Sequence, residues 1–74
     1  MNIEHLVTMA NQIGGFFRAY PDAEQAKKDI AHHLKQFWEP GMRKLIVQHV
    51  LEKQGLGLEP MVCSAIKEHI AHLR

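Results

Sequence analysis

Six histidines and one cysteine are the side chains of this 74-residue chain whose chemistry suits metal binding or nucleophilic attack. His33, His49 and His69 fall on or beside the apolar stripes of three different segments, and His69-x-x-His72 adds an i, i+3 pair. Three converging imidazoles hold zinc. No carboxylate or cysteine stands at ligand spacing beside them, so the expectation is no metal, with these histidines bonded to carbonyls or touching a partner. Cys63 follows Val62 near the start of a helical segment, where a helix N-terminus lowers a thiol pKa. A lone cysteine more commonly packs as a small hydrophobe, and that is the expectation here. The chain has no Walker loop, GxGxxG, HExxH, CxxC or GxSxG. No catalytic and no cofactor-binding residue is therefore expected.

Recognition chemistry is better represented. Phe37-Trp38-Glu39-Pro40-Gly41-Met42-Arg43 gathers Trp, Met and Arg, the types enriched in protein–protein interfaces, at a helix corner. Helical phasing puts Trp38 about a quarter turn off the inward stripe of its helix, which presents it outward. The competing reading has Trp38 closing the end of the core. Gly14-Gly15 interrupts a helical pattern, and each glycine weakens a helix by about 0.5–1 kcal/mol. Close approach of another backbone, or a bend aiming Phe16 and Phe17, accounts for such a pair as well as tolerated weakness does.

The elements that carry these residues are helical. Period-2 alternation and hairpin dipeptides are missing, while helical periodicity runs almost end to end. Four helices are expected. The first spans about Ile3 to Ala19, with Ile3, Leu6, Ala10, Ile13 and Phe17 inward and a second ridge of Met9, Phe16 and Tyr20. That arc is wider than one neighbouring helix covers. Pro21-Asp22 starts the second helix, with Asp22 and Gln25 forming a capping box and Ala23, Ala26, Ile30, Leu34 and Phe37 inward. Pro40 opens the third, whose inner face is Met42, Leu45, Ile46, His49 and Val50, and Gly55 ends it. Pro60 opens the fourth, with Val62, Ala65, Ile66, His69, Ile70 and Leu73 aligned. Short connections predict a single all-α domain over residues 1–74, a compact up-and-down bundle of four short helices.

Composition narrows the function. Nine Lys+Arg against eight Asp+Glu leave a net charge of +1, too little basic surface for a nucleic-acid binder. A helix-turn-helix reading would make the third helix the reader, with Arg43 and Lys44 near its N-terminus. The remaining basic residues are scattered among acids, against that reading. One cysteine forms no internal disulfide, the start carries no basic n-region, and no apolar run approaches a membrane span. A cytoplasmic protein that leans on a partner is expected, with no membrane or nucleic-acid partner and with self-association a possibility in isolation.

Met9-Ala10-Asn11-Gln12-Ile13-Gly14, Phe16-Phe17, Pro21-Asp22, Phe37-Trp38 with Pro40, Met42 and Arg43, and Gly57-Leu58-x-Pro60-x-Val62 lie in this order along nearly the whole chain. Together they resemble the delta subunit of NAD-dependent, molybdenum-containing formate dehydrogenase. The resemblance implies a non-catalytic accessory subunit of a cytoplasmic complex that oxidises formate and passes electrons to NAD. It implies large partner subunits that carry molybdenum cofactor, iron–sulfur clusters and FMN, and none of these in this chain; a single cysteine ligates no such cluster alone. A transient chaperone for loading the molybdenum cofactor is the alternative role. The motif residues suited to docking are Asn11, Gln12, Phe16, Phe17, Trp38, Pro40, Met42 and Arg43. The sequence departs from the family pattern at Gly41, which usually holds Arg, so Arg43 alone remains for a bidentate contact to an acidic group.

Overall fold

The computed structural model describes residues 2–74, and these fold into helices α1 (Ile3–Phe17), α2 (Ala23–Phe37), α3 (Pro40–Lys53), α4 (Pro60–Glu68) and α5 (Ile70–Leu73). No strand occurs among the described residues. The all-α class is as expected, but the fourth helix is divided. At His69 (φ −118°, ψ 28°) the chain leaves helical geometry for one residue, and α5 is a single turn. No Pro or Gly marks this break. Its effect is to turn Leu73, 1% exposed, into the core against α2 and α3.

Local signals set most helix ends. Asn2 caps α1, its Oδ1 accepting the Glu4 N–H at 2.7 Å. The Asp22 carboxylate does the same for α2, accepting from the Glu24 and Gln25 N–H groups at 3.0 and 3.3 Å. The reciprocal half of the capping box is missing, because the Gln25 amide donates to Asp29 instead. Pro40 and Pro60 occupy the first turns of α3 and α4 as expected. After α3, Gln54 and Gly55 are both left-handed (φ 52° and 67°), and the Gly55 N–H reaches back to the His49 carbonyl. Gly55 is buried, and a Cβ there would lie 2.7 Å from the Cys63 sulfur.

The core is contributed by all five helices, centred on Leu6, Ile30, Leu34, Ile46, Ile66 and Leu73. For α1 the expected inward stripe holds, with Gly14 added. For α2 the ends of the stripe are corrected: Ala23 and Phe37 are exposed, while Ala31 and Trp38 are buried. In α3, Leu45 is exposed and Val47 takes its place inside. The shift in α3 amounts to a rotation of the buried arc, as happens when a helix packs on two or more neighbours instead of one. The up-and-down neighbour relation also changes. α2 packs chiefly on α4, and α3 on α1 and α4, although only two residues join α2 to α3.

Gly14 explains how α1 and α4 come so close. A Cβ at this position would sit 2.4 Å from Cγ2 of Val62, whereas a Cβ at Gly15 meets nothing within 4 Å. Lys27 braces α2 to α4 at the other end, its ammonium 2.8 Å from both Glu24 and Glu68. Hydrogen bonds to Glu24 and Glu68 hold its pKa above the ordinary lysine value.

Two outcomes follow. Gly14→Ala is expected to destabilise the fold by about 1–3 kcal/mol through overpacking against Val62. Gly15→Ala should stabilise it by about 0.5–1 kcal/mol through helix propensity alone. Urea unfolding followed by helical circular dichroism distinguishes the pair. The raised Lys27 pKa adds stability that is present below the ordinary lysine value and lost as pH rises through the raised one. Lys27→Gln should therefore flatten the alkaline end of the stability profile, read as Tm against pH.

Candidate functional site

The eight expected docking residues separate into three groups. Asn11, Trp38 and Arg43 are engaged with the chain itself. Gln12, Phe16 and Pro40 face solvent, while Phe17 and Met42 are half-buried against the core.

Asn11 sits on α1 opposite the loop between α3 and α4. Its Nδ2 donates to the Gly57 carbonyl at 3.0 Å, and its Oδ1 accepts the Glu59 N–H at 2.9 Å. The amide thus satisfies both a donor and an acceptor of one loop, just where Glu59 leads into α4. His49 secures the same loop through Nε2, 2.8 Å from the Leu56 carbonyl. Arg18 on the first turn after α1 pairs with the Glu59 carboxylate.

Trp38 is 5% exposed, which corrects the outward orientation expected from phasing. The physical reason is local. α2 ends at Phe37, and Trp38 has extended backbone (φ −91°, ψ 137°), so helical phase no longer governs its direction. Its N–H still closes onto the Leu34 carbonyl at 3.0 Å, and the indole packs into the core. Phe37, the preceding residue, points out at 69% exposure, its ring 4.7 Å from that of His33.

Arg43 lies in the first turn of α3 and is half-buried. Its Nη1 donates to the carbonyls of Lys35 and Trp38, each at 2.9 Å, and its Nε donates to the Leu73 carbonyl at 3.2 Å. These carbonyls belong to the ends of α2 and α5, where helical partners run out. One guanidinium therefore joins three helices. An exposed reader position, as a helix-turn-helix would need, is incompatible with that placement.

The aromatic surface lies on α1. Phe16 is 80% exposed, on the same face as exposed Gln12 one turn earlier. Tyr20, 39% exposed, stacks edge-on against Phe17 with centroids 5.2 Å apart. The open space around Gly15 adjoins Phe16. Of the expected second ridge, Phe16 is exposed on α1, Tyr20 lies beyond the end of the helix, which stops at Phe17 and not at Ala19, and Met9 is half-buried against the core.

His33, His49 and His69 do not converge: among the described residues no group of three or more His, Cys, Asp or Glu side chains is placed to hold a metal. His32 and His72 stack with centroids 6.4 Å apart, a contact that sequence spacing gave no sign of. Cys63 is half-buried, its sulfur 3.7 Å from the Gln54 carbonyl, under the turn that ends α3.

The fold defines a small helical protein whose polar side chains clamp its own backbone and whose largest exposed ring stands on α1. The chain belongs to the family of the NADH-dependent formate dehydrogenase delta subunit, FdsD, whose family model matches residues 5–66. No curated protein and no solved structure matches it. The matched span includes Asn11, Phe16, Trp38 and Arg43 and stops within α4. No helix among the described residues is long and apolar enough to cross a membrane.

The clamp roles are measurable. Arg43→Lys should destabilise the chain by about 1–3 kcal/mol, because a single ammonium does not serve carbonyls on three sides and leaves half-buried acceptors at Trp38 or Leu73 without donors. Asn11→Ala is expected to fall in the same range. Urea titration of both variants, with Gln12→Ala as an exposed control that leaves stability unchanged, checks the assignment.

Proposed function

We infer that this chain is a non-catalytic accessory subunit of a formate dehydrogenase complex, and that it docks through the Gln12–Phe16 face of α1. Membership of the delta-subunit family carries the reading. The exposure of Phe16 supports the choice of surface, since a solvated aromatic ring on a small domain is the kind of anchor that fills a pocket on a partner. Pro40 and half-buried Met42 lie apart from this face, at the α2–α3 corner. Asn11, Trp38 and Arg43 contribute indirectly, by holding the helices that present it.

The function follows from mass action. A chain that binds only the folded large subunit lowers the free energy of that state and protects it during assembly. The large subunits would carry the molybdenum cofactor, iron–sulfur clusters and FMN, and this chain would supply none of the redox centres. The cytoplasm is the compartment in which such a complex would meet NAD.

Phe16→Asp tests the surface. The variant should keep its helicity and Tm, because the residue is outside the core, yet lose association with the large subunits by about 2 kcal/mol or more. Co-purification of the wild-type chain in equal amount with the mature enzyme is the expected baseline. Its presence only in early assembly intermediates would instead identify a loading chaperone.

A further inference from the structure

A second surface, separate from Phe16, lies along the outer side of α3. A groove of about 550 Å³ runs there between α3 and the end of α5. Pro40, Lys44, Gln48 and Leu51 line it at helical spacing, so it extends about 16 Å at 1.5 Å per residue. Val47 and Leu73 form an apolar floor, and Leu51 stands over it at 52% exposure.

The rim is mainly basic. Arg43, Lys44 and Arg74 border the groove, against the single side-chain carboxylate of Glu52, which already accepts a hydrogen bond from Gln48 at 3.0 Å. Three of the five N–H donors of the Arg43 guanidinium go to neutral carbonyls, while Nη2 has no acceptor and no carboxylate pairs with the group among the described residues. Among the described residues, neither Arg43 nor Lys44 forms an ion pair. A half-buried cation without a counter-ion, at the edge of an apolar floor, favours an anionic occupant that also carries apolar side chains.

We propose that this groove receives an acidic amphipathic segment of the large subunits, one that sets apolar side chains on Val47, Leu51 and Leu73 and carboxylates against Lys44 and Arg43. The length matches two to three turns of a helix laid in a groove, at about 5.4 Å per turn. A second copy of this chain fits poorly. A two-fold contact through the groove brings Arg43, Lys44 and Arg74 towards their own symmetry mates. The proposal rests on the delta-subunit reading and adds to it a second contact and the chemistry of the partner.

The test uses the full chain co-expressed with affinity-tagged large subunits, with retention measured at rising sodium chloride. Lys44→Glu and Leu51→Glu should each reduce the retained chain about tenfold or more, since reversed or buried charge in a matched contact is strongly unfavourable. Lys44→Arg should be retained, and wild-type retention should fall with salt as the rim charges are screened. Both substituted side chains are exposed, and unchanged circular dichroism confirms that folding is intact. If both glutamate variants bind like wild type while Phe16→Asp is lost, the groove is not a contact and the docking reading stands. If the wild-type chain is not retained at all, both fall. If the isolated chain sediments as a dimer that Leu51→Glu dissociates, the groove is a self-contact and the proposal is overturned.

Discussion

Helix ends are the weak points of a bundle this short, because the last carbonyls of each helix lack helical partners and have little core to hide in. Arg43 answers for the carbonyls of Lys35, Trp38 and Leu73 with one planar group. The rest of the architecture depends on that arrangement. α2 and α3 are joined by two residues yet make little direct contact, and the corner between them is held by the buried Trp38 ring and the Arg43 fork. α5, a single turn, is far too short to be helical alone, and its carbonyl bond to Arg43 and its buried Leu73 fix it. Asn11 performs the corresponding task at the opposite side by holding the loop before α4.

The same economy explains the division between interior and surface roles. An asparagine committed to a loop is withdrawn from external recognition, and an arginine that donates to three carbonyls keeps mainly its charge for it. Trp38 is withdrawn likewise, its area used to complete the core. What remains available for a partner is what the core does not need, including Phe16 on α1, Phe37 on α2, Leu56 in the loop before α4 and the outer side of α3. Family membership as a delta subunit gives these surfaces a context, since a small subunit reaches stability and specificity together when a larger protein covers its leftover apolar area.

Helix identity and starts were legible because they rest on local chemistry. Asp22, Pro40 and Pro60 mark the starts of three helices without reference to tertiary contacts, and the stripe of α1 is centred on residues that are buried in the fold. Burial at the helix margins was not legible. Whether Phe37 or Trp38 turns inward depends on one residue leaving helical geometry, and whether Leu45 or Val47 faces the core depends on which neighbours α3 meets. The His69 break has no local signal at all. For the candidate site, Phe16 was recognisable as surplus to the stripe, but the clamp roles of Asn11 and Arg43 were not. A clue to Arg43 existed: a cation in the first turn of a helix opposes the macrodipole, and its spacing from Ile46 and Val47 sets it on the buried face. Such a residue has to be held by acceptors from elsewhere in the fold.

The connections between helices are five, two, six and one residues long. Short joins of this kind keep loop closure inexpensive, and helical bundles dominated by local contacts reach their native state on the order of microseconds to milliseconds. A ribosome adds residues at about 5–20 per second. At these rates a chain of 74 residues folds in a small fraction of the seconds that its own synthesis takes, so its surfaces are fixed almost as soon as the chain is released.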